Sequence, residues 1–461
     1  MRRPTASAAV LSACLLLAAS PAPAQTAERL PATLAGHALL PAASVMEPPA
    51  DAPTAVATAG KFTGPDNLRA EAPGGVKGQS GTGPGARPTG IDLPLPGQPL
   101  QGVSALRAVG DGTFWALSDN GFGSKTNSAD ALLPLNRLRI DWATGAVTLM
   151  ETVWLSDPQR RFPHPVTLEG TDRRYLTGAD LDPESLVVDG GGFWIGDEFG
   201  PWLLRFDRQG VLERVIPARL GDRALRSPDN PAVRLPGNPA AVETGLGFEI
   251  GRSRGFEGLA GDPERRRLYA LLEGPVWQNG TAETFADGKP RLRLLEFDTE
   301  TGDWTGTSWT YGLEAEGHAT GEITWLDADR FLVIERDGGE GDAARACPAG
   351  APAPTCFARP AKFKRLYLVS KAGLPDGGAL VKQGFVDLLE IADPNGAARQ
   401  GGSGSGRFAM PFVTIESVEP AGDGRLIVVN DNNLPFSAGR FLDRADDTEF
   451  VLLEVPGLAT K

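Results

Sequence analysis

Histidine is scarce in this chain, with His37, His164 and His318 the whole complement. None sits in an HExxH pair or an RHG-type signature, which excludes zincin and histidine-phosphatase chemistry. The phosphate-cradling pattern GxxxxGK(S/T) is missing, and GGSGSG does not meet the GxSxG spacing of a nucleophile elbow. Basic residues are in deficit, 45 against 58 acids, for a formal charge of −13. Such a balance disfavours nucleic acid and anionic membranes as partners. After the first two dozen residues no apolar run is long enough to span a bilayer, and no amphipathic helix of useful length is present.

The N-terminus reads as an export leader. Arg2 and Arg3 precede an apolar stretch from Ala8 to Ala19, and Ala22-Pro23-Ala24 fits a small-residue cleavage site before Gln25. Leu11-Ser12-Ala13-Cys14 admits a lipoprotein reading and the paired arginines a twin-arginine one, although the apolar run continues past Cys14. Cleavage after Ala24 leaves two cysteines, Cys347 and Cys356, in CPAGAPAPTC. In an oxidising compartment the expectation is a disulfide, the alternative being two free thiols. The expected location is the periplasm or the medium.

Against this background one pattern recurs five times: an acid or polar residue, a short apolar strand, a turn, a second apolar strand, another acid. The copies are SALRAVGDGTFWALSDN, ESLVVDGGGFWIGDE, EGLAGDPERRRLYALLE, EITWLDADRFLVIE and ESVEPAGDGRLIVVND, beginning at Ser104, Glu184, Glu257, Glu322 and Glu416. Each is a β-hairpin by its alternation and its Gly- or Asp-rich turn. Two further strand-like runs follow each of the first four copies. Only one, EFVLLEVPGL, follows the fifth. Four strands per repeat describe an all-β propeller, and Ala32–Pro41 can supply the missing strand and close the ring. Repeat starts lie 80, 73, 65 and 94 residues apart. A plain blade needs about 40–45, so every blade carries insertions, the largest at 219–255, 338–360 and 393–407. Five repeats are readable, and a sixth blade stays open. The division expected is a leader over 1–24, a Pro/Gly/Ala-rich segment with one closing strand over 25–100, and the propeller over 101–461. A β-sandwich with coincidental hairpins is the competing fold, but it gives no reason for acids at both ends of each copy.

A hairpin returns to its starting edge, so five of them around an axis would crowd about ten carboxylates at one mouth. Such crowding is unfavourable without positive charge among the carboxylates, and oxygen-rich sites suit hard cations such as calcium. Lys125, Arg254, Arg336 and Arg440 lie within a few residues of the acidic tips. Either they hold an anionic group beside a metal, or they form salt bridges that neutralise the ring. His318, four residues before Glu322, reads as a loop histidine.

The motifs GQPLQGVSALR, FWALSDNGFGSKTNSAD, DPESLVVDGGGFWIGDEFGPWLLRFD, RGFEGLA, RLYALLEGP, FLVIERD, TIESVEP and LIVVNDNNLPFSAGR, in this order, resemble the bacterial phytase-like family, the "esterase-like activity of phytase" group. The resemblance runs from about residue 97 to the C-terminus. It implies a propeller, an exported protein and phosphate-ester hydrolysis with calcium. Carried over to this sequence, it implies metal-facing roles for Asp119, Glu184, Glu198, Glu257, Glu335, Glu416 and Asp431, and neutral oxygen ligands in Asn120 and Asn430. Glu257 or Glu198 would take a proton from water. Lysines are few near the tips, so phytate itself is not implied. Two other readings stay open: a calcium-dependent lactonase or carboxylesterase needing a single ion, and a non-catalytic ligand-binding propeller. The partner expected is a small-molecule phosphate ester or other ester as substrate, with no nucleic acid and no membrane, and the protein is expected to be a monomer.

Overall fold

The structure is a computed structural model that describes residues 27–64, 68–100, 102–233, 247–402, 404 and 406–458. The expected leader at 1–24 and its cleavage site lie outside the described residues. Within them the only helical pieces are short 3₁₀ turns, such as Thr54–Val56 and Ala343–Arg345, and none could cross a membrane.

Five four-stranded antiparallel blades make up the ring. Blade one comprises Ala105–Ala108, Thr113–Leu117, Pro134–Asp141 and Ala146–Trp154. Blade two comprises Pro183–Asp189, Gly192–Asp197, Trp202–Asp207 and Leu212–Pro217. In blade three the strands are Phe256–Asp262, Arg267–Pro275, Arg291–Asp298 and Asp303–Gly312. Blade four holds Ala319–Trp325, Arg330–Arg336, Lys364–Ser370 and Val381–Asp387. The fifth holds Ser417–Pro420, Arg425–Val429 and Thr448–Glu454, and is completed by the N-terminal strand Thr33–Leu40. That strand runs antiparallel to Thr448–Glu454, from Thr33 opposite Glu454 to Leu40 opposite Thr448. Its outer edge touches blade one where Leu39 meets Ala146. The ring is therefore closed by joining the two ends of the chain, with five blades among the described residues.

Burial explains the sequence texture. The second strand of blade two, Gly192–Asp197, is buried at every position because it lies between neighbouring blades, whereas the outermost strand of blade one is mostly exposed or half-buried. The apolar side chains gather in wedges between consecutive blades. Leu117, Leu135 and Leu155 meet Leu186, Phe193 and Leu204 between blades one and two, and Leu332, Ile334 and Leu366 meet Val418, Val428 and Val451 between four and five. The hairpin turns are held alike in four blades. Asp111, Asp189, Asp262 and Asp327 each accept a backbone N–H two residues on, from Thr113, Gly191, Glu264 and Asp329.

Candidate metal centre at the acidic mouth

Register decides which side chains reach the mouth. In blade two Pro183 pairs with Asp197 and Ser185 with Gly196, so Glu184 is the extra residue of a β-bulge. Glu257 is the extra residue in blade three, between Phe256 opposite Leu272 and Gly258 opposite Leu271. In blade five Ser417 lies opposite Val429, and the preceding Glu416 also donates its N–H to the Val429 carbonyl. Blade one repeats this with Ser104 and Ala105 against Leu117. A bulge re-aims one side chain and is found beside functional sites; here it aims Glu184, Glu257 and Glu416. Two residues beyond the partner strand's last regular position stand Asp119, Glu198, Glu273, Arg336 and Asp431, one per blade.

Blade four departs from the pattern. Its bulge falls on Gly321, between Thr320 opposite Glu335 and Glu322 opposite Ile334. A Cβ on Gly321 would lie 2.2 Å from the Ile415 carbonyl oxygen, so no side chain fits there. Both acids of this copy are one residue out of step with the others, and side chains alternate along a strand. Glu335 accordingly lies outside the cluster. It accepts from the Tyr311 hydroxyl (2.7 Å), the Glu314 N–H (2.6 Å) and Lys382 Nζ (2.8 Å), with His318 Nδ1 at 2.9 Å. Glu322 turns inward down the channel to Arg107 (3.0 Å). The position facing the mouth belongs to Arg336.

The residues one step before the mouth positions anchor the loops instead. Asp197 accepts from the Asp182 N–H (2.8 Å) and the Gly200 N–H (2.7 Å). Asn430 accepts from the Glu449 N–H (2.7 Å) and donates to the Asp447 carbonyl (3.1 Å), which leaves its oxygen engaged rather than facing the mouth. The Asn120 oxygen is likewise taken by the Phe122 and Gly123 N–H groups and the Ser128 hydroxyl.

The structure gathers Asp119, Asp182, Glu184, Glu198, Glu257, Glu273, Glu416 and Asp431 into one electrostatically interacting cluster, eight carboxylates where about ten were expected. Asp182, Glu198, Glu257 and Asp431 are at most 4% exposed. Burial, then the charges of Glu273 and Glu198, pushes Glu257 well above the ordinary carboxylate range. Burial with Glu273 and Asp182 does the same for Glu198, and burial with Asp431 and Glu257 for Glu416. Burial lifts Asp182 to about 6 and Asp197 to about 8, partly offset by hydrogen bonds. Two guanidiniums stand among them. Arg336 lies 3.5 Å from Glu416 and 3.7 Å from Glu273, and the half-exposed Arg254 pairs with Glu273 at the rim. Eight carboxylates against two arginines leave a formal excess of six negative charges when all are ionised.

Two groups of oxygens converge closely enough to share an ion: Asp182, Glu184 and Glu198, and Glu198, Glu257 and Glu273, with the ligand atoms in each group within 4.8 Å of one another. Glu198 belongs to both. Glu198 Oε1 and Glu257 Oε1 are buried without a hydrogen-bond partner. Buried carboxylate oxygens facing one another without a donor fit a bound hard cation. Asp182 and Glu273 were not among the expected ligands. Glu273 closes its hairpin as Glu198 does, and Asp182 lies two residues before Glu184.

Lys125 lies over the Phe199 ring and donates to the Asp229 carbonyl (3.1 Å), close enough to the mouth for its charge to act on Asp197. Arg440 does not face the mouth. Its Nε and Nη2 donate to Glu449 at 2.8 and 2.6 Å, inside a buried group that includes His37. Arg399 N–H donates to His37 Nδ1 (3.0 Å), so Nε2 carries the proton shared with Glu449 (3.1 Å). Cys347 and Cys356 are joined as a disulfide.

The sequence profile for "Phytase-like: Esterase-like activity of phytase" matches residues 98–434. The chain belongs to the Phytase-like family. Among curated proteins it is 26% identical over 299 residues to an "Uncharacterized secreted protein" of Arthroderma benhamiae, covering 51% of this chain and 57% of that one. The chain thus spans little more than half the length of that relative. Solved structures sharing its outline include a luciferin-regenerating enzyme (12% identity, 82% of each chain, TM-score 0.33) and U3-55K (9% identity, 76% and 95%, TM-score 0.33). Superpositions this loose carry no argument about chemistry. The matched span of the Phytase-like family, 98–434, contains every residue of the acidic cluster and ends before the final strand of blade five.

Proposed function

We infer that the protein is an exported hydrolase of phosphoric esters that depends on a hard divalent cation, calcium in the first instance. One observation carries the reading: two all-oxygen ligand groups share Glu198, contain buried oxygens with no donor, and lie beside two arginines. Asp182, Glu184, Glu198, Glu257 and Glu273 would hold the cation, with Asp119, Glu416 and Asp431 completing the negative field around it. When bound, the cation supplies Lewis-acid polarisation of a phosphoryl oxygen and a lowered pKa for bound water.

The chain's own residues divide the remaining work. Arg254 is half-exposed at the rim and Arg336 is deeper, so together they can grip an anionic group from two depths. Lys125 adds positive charge at longer range. Glu257 and Glu198, whose carboxyls are pushed well above the ordinary range first by burial and then by the charge of Glu273, are the groups placed to take a proton from an attacking water. Export is supported by the secreted relative and by the disulfide.

The test is a screen of phosphomonoesters, phosphodiesters and lactones with the full chain, run with calcium and with chelator. Calcium-dependent phosphate-ester turnover, lost in Glu257→Gln, supports the reading. Lactone turnover alone, or phosphate-ester turnover indifferent to chelator and to Glu257→Gln, overturns it.

A further inference from the structure

Charge is not spread evenly around the mouth. Arg254 and Arg336 stand at blades three and four, each paired with Glu273. Blades one and five, which follow one another on the far side of the ring, contribute Asp119 and Asp431. Beside these two carboxylates opens a pocket of about 70 Å³. Its walls are apolar, with Leu132 and Pro134 on one side and Leu434 and Phe436 on the other, and no Lys, Arg or His lines it. Gly102 passes over it with a φ of +73°, and a Cβ there would stand 3.4 Å from Asp431 Oδ1 and 3.5 Å from Asp119 Oδ1. The volume is well below the roughly 300 Å³ at which sites begin to enclose a whole drug-sized ligand. The pocket therefore takes a side group of a few heavy atoms, and the rest of the ligand lies in the mouth.

The groups that a ligand would meet there are open to it. Asp119 and Asn433 are partly exposed, and Phe436 is 36% exposed. The Asp119 carboxylate is held in place by the Gly121 N–H (2.8 Å). Asn433 turns its amide nitrogen toward Thr414 Oγ1, so the atom of the amide left over is an acceptor. Asp431, 3% exposed and held by the Asn433 N–H (2.9 Å), adds its charge from beneath. The side chains thus offer acceptors and negative charge at the floor, and an aromatic ring with aliphatic groups at the walls.

We propose that this pocket binds a small organic cation, an ammonium or a methylated ammonium group. An anionic group would be repelled by both carboxylates. An uncharged apolar group would cover them and offer nothing in return. A bare metal ion gains nothing from the apolar walls and finds more oxygens at Glu198. An organic cation answers both halves of the pocket, since its charge faces Asp119 and Asp431 while its carbons lie against Phe436, whose ring face attracts cations. Resting on the hydrolase reading above, the substrate class is then a phosphoric ester of a short amino alcohol. Such a zwitterion sets its phosphoryl group against Arg254 and Arg336 and its nitrogen against Asp119 and Asp431 across the mouth, whereas an ester with several phosphates would bring a second anion to the acidic side. Hydrolysis joins the oxygen of water to phosphorus and breaks the P–O bond to the amino alcohol, whose oxygen leaves with a proton.

The experiment titrates the full chain, in millimolar calcium, with choline and ethanolamine and with their uncharged isosteres 3,3-dimethylbutanol and propanol, read by calorimetry. At least one cation should bind saturably, and its isostere about tenfold more weakly or less, as for interactions with charged groups. Phe436→Ala should weaken choline about two- to fivefold, the range of an exposed cation–π contact. Gly102→Ala, which sets a methyl group over both carboxylates, should weaken it as well. Melting establishes that each variant folds. The four corresponding phosphate monoesters are then compared as substrates, and an amino-alcohol ester should exceed its isostere about tenfold in kcat/KM. No cation bound at tens of millimolar, equal binding of the isosteres, binding indifferent to both variants, or binding seen only in chelator and displaced by calcium overturns the pocket. Cation binding with phosphate-ester turnover that shows no preference for the amino alcohols overturns the substrate class. Cation binding with no phosphate-ester turnover at all overturns the hydrolase reading and leaves the cation pocket standing.

Discussion

Stripping divalent cations at two pH values probes the acidic mouth most directly. Asp182 titrates near 6 in the folded protein against an ordinary 3.8. A gap of that size is on the order of 3 kcal/mol. The sign follows from proton binding. The folded state holds this proton more tightly than the unfolded chain, so the stabilisation is complete below about pH 4 and is lost as pH rises through 6. Asp197 acts in the same direction up to about 8, and Glu184, Glu198, Glu257 and Glu416 are raised as well. The metal-free protein should therefore melt at a lower temperature at pH 8 than at pH 5. A cation bound only by the native, deprotonated cluster adds about 4 kcal/mol at a thousandfold excess over its dissociation constant. At roughly 2–4 °C per kcal/mol for chains somewhat shorter than this one, calcium should raise the midpoint at pH 8 by about 10 °C, and by much less at pH 5, where protons compete. Differential scanning calorimetry in chelator and in millimolar calcium measures both shifts. A chelated midpoint that is equal or higher at pH 8, or a calcium shift of the same size at both values, would refute the reasoning.

Glu257→Gln and Glu416→Gln keep shape and remove charge, so phosphate-ester turnover should fall by about 10²–10⁴ while the chelated midpoint holds or rises; parental kinetics in both would place the chemistry elsewhere. Glu449 is held at about 2, because Arg440 and His37 outweigh the upward push of burial. Glu449→Gln leaves Arg440 buried without its counter-charge and should cost about 3–5 kcal/mol in denaturant unfolding, and a loss under 1 kcal/mol would show the group to be dispensable. Thiol titration of the unfolded, unreduced protein should find Cys347 and Cys356 unreactive, and replacing both with serine should remove about 2–3 kcal/mol through loop entropy. Unchanged stability would mean that the short loop between them is already ordered in the unfolded chain.

Much of this architecture was legible in the chain. Periodicity and turn residues delimit the five hairpins and the outer strands, because a strand buried between blades must be apolar and a hairpin turn must be polar or glycine. The single strand-like run after the fifth hairpin required a partner from elsewhere, and TLAGHALL supplies it. The crowding of acids at one mouth also follows from hairpin geometry alone. Register was not legible at blade four. Aligning acid with acid put Glu335 at the mouth, whereas the bulge at Gly321, forced by the close approach of Ile415, turns it away and presents Arg336. The destination of long side chains was hidden as well. Arg440 follows an acidic tip in sequence, yet it turns into the fold toward Glu449, a partner from the third strand of its own blade. Sequence fixes which residues alternate along a strand. Only packing between blades sets where the alternation slips by one, and that slip decides which charges share the mouth.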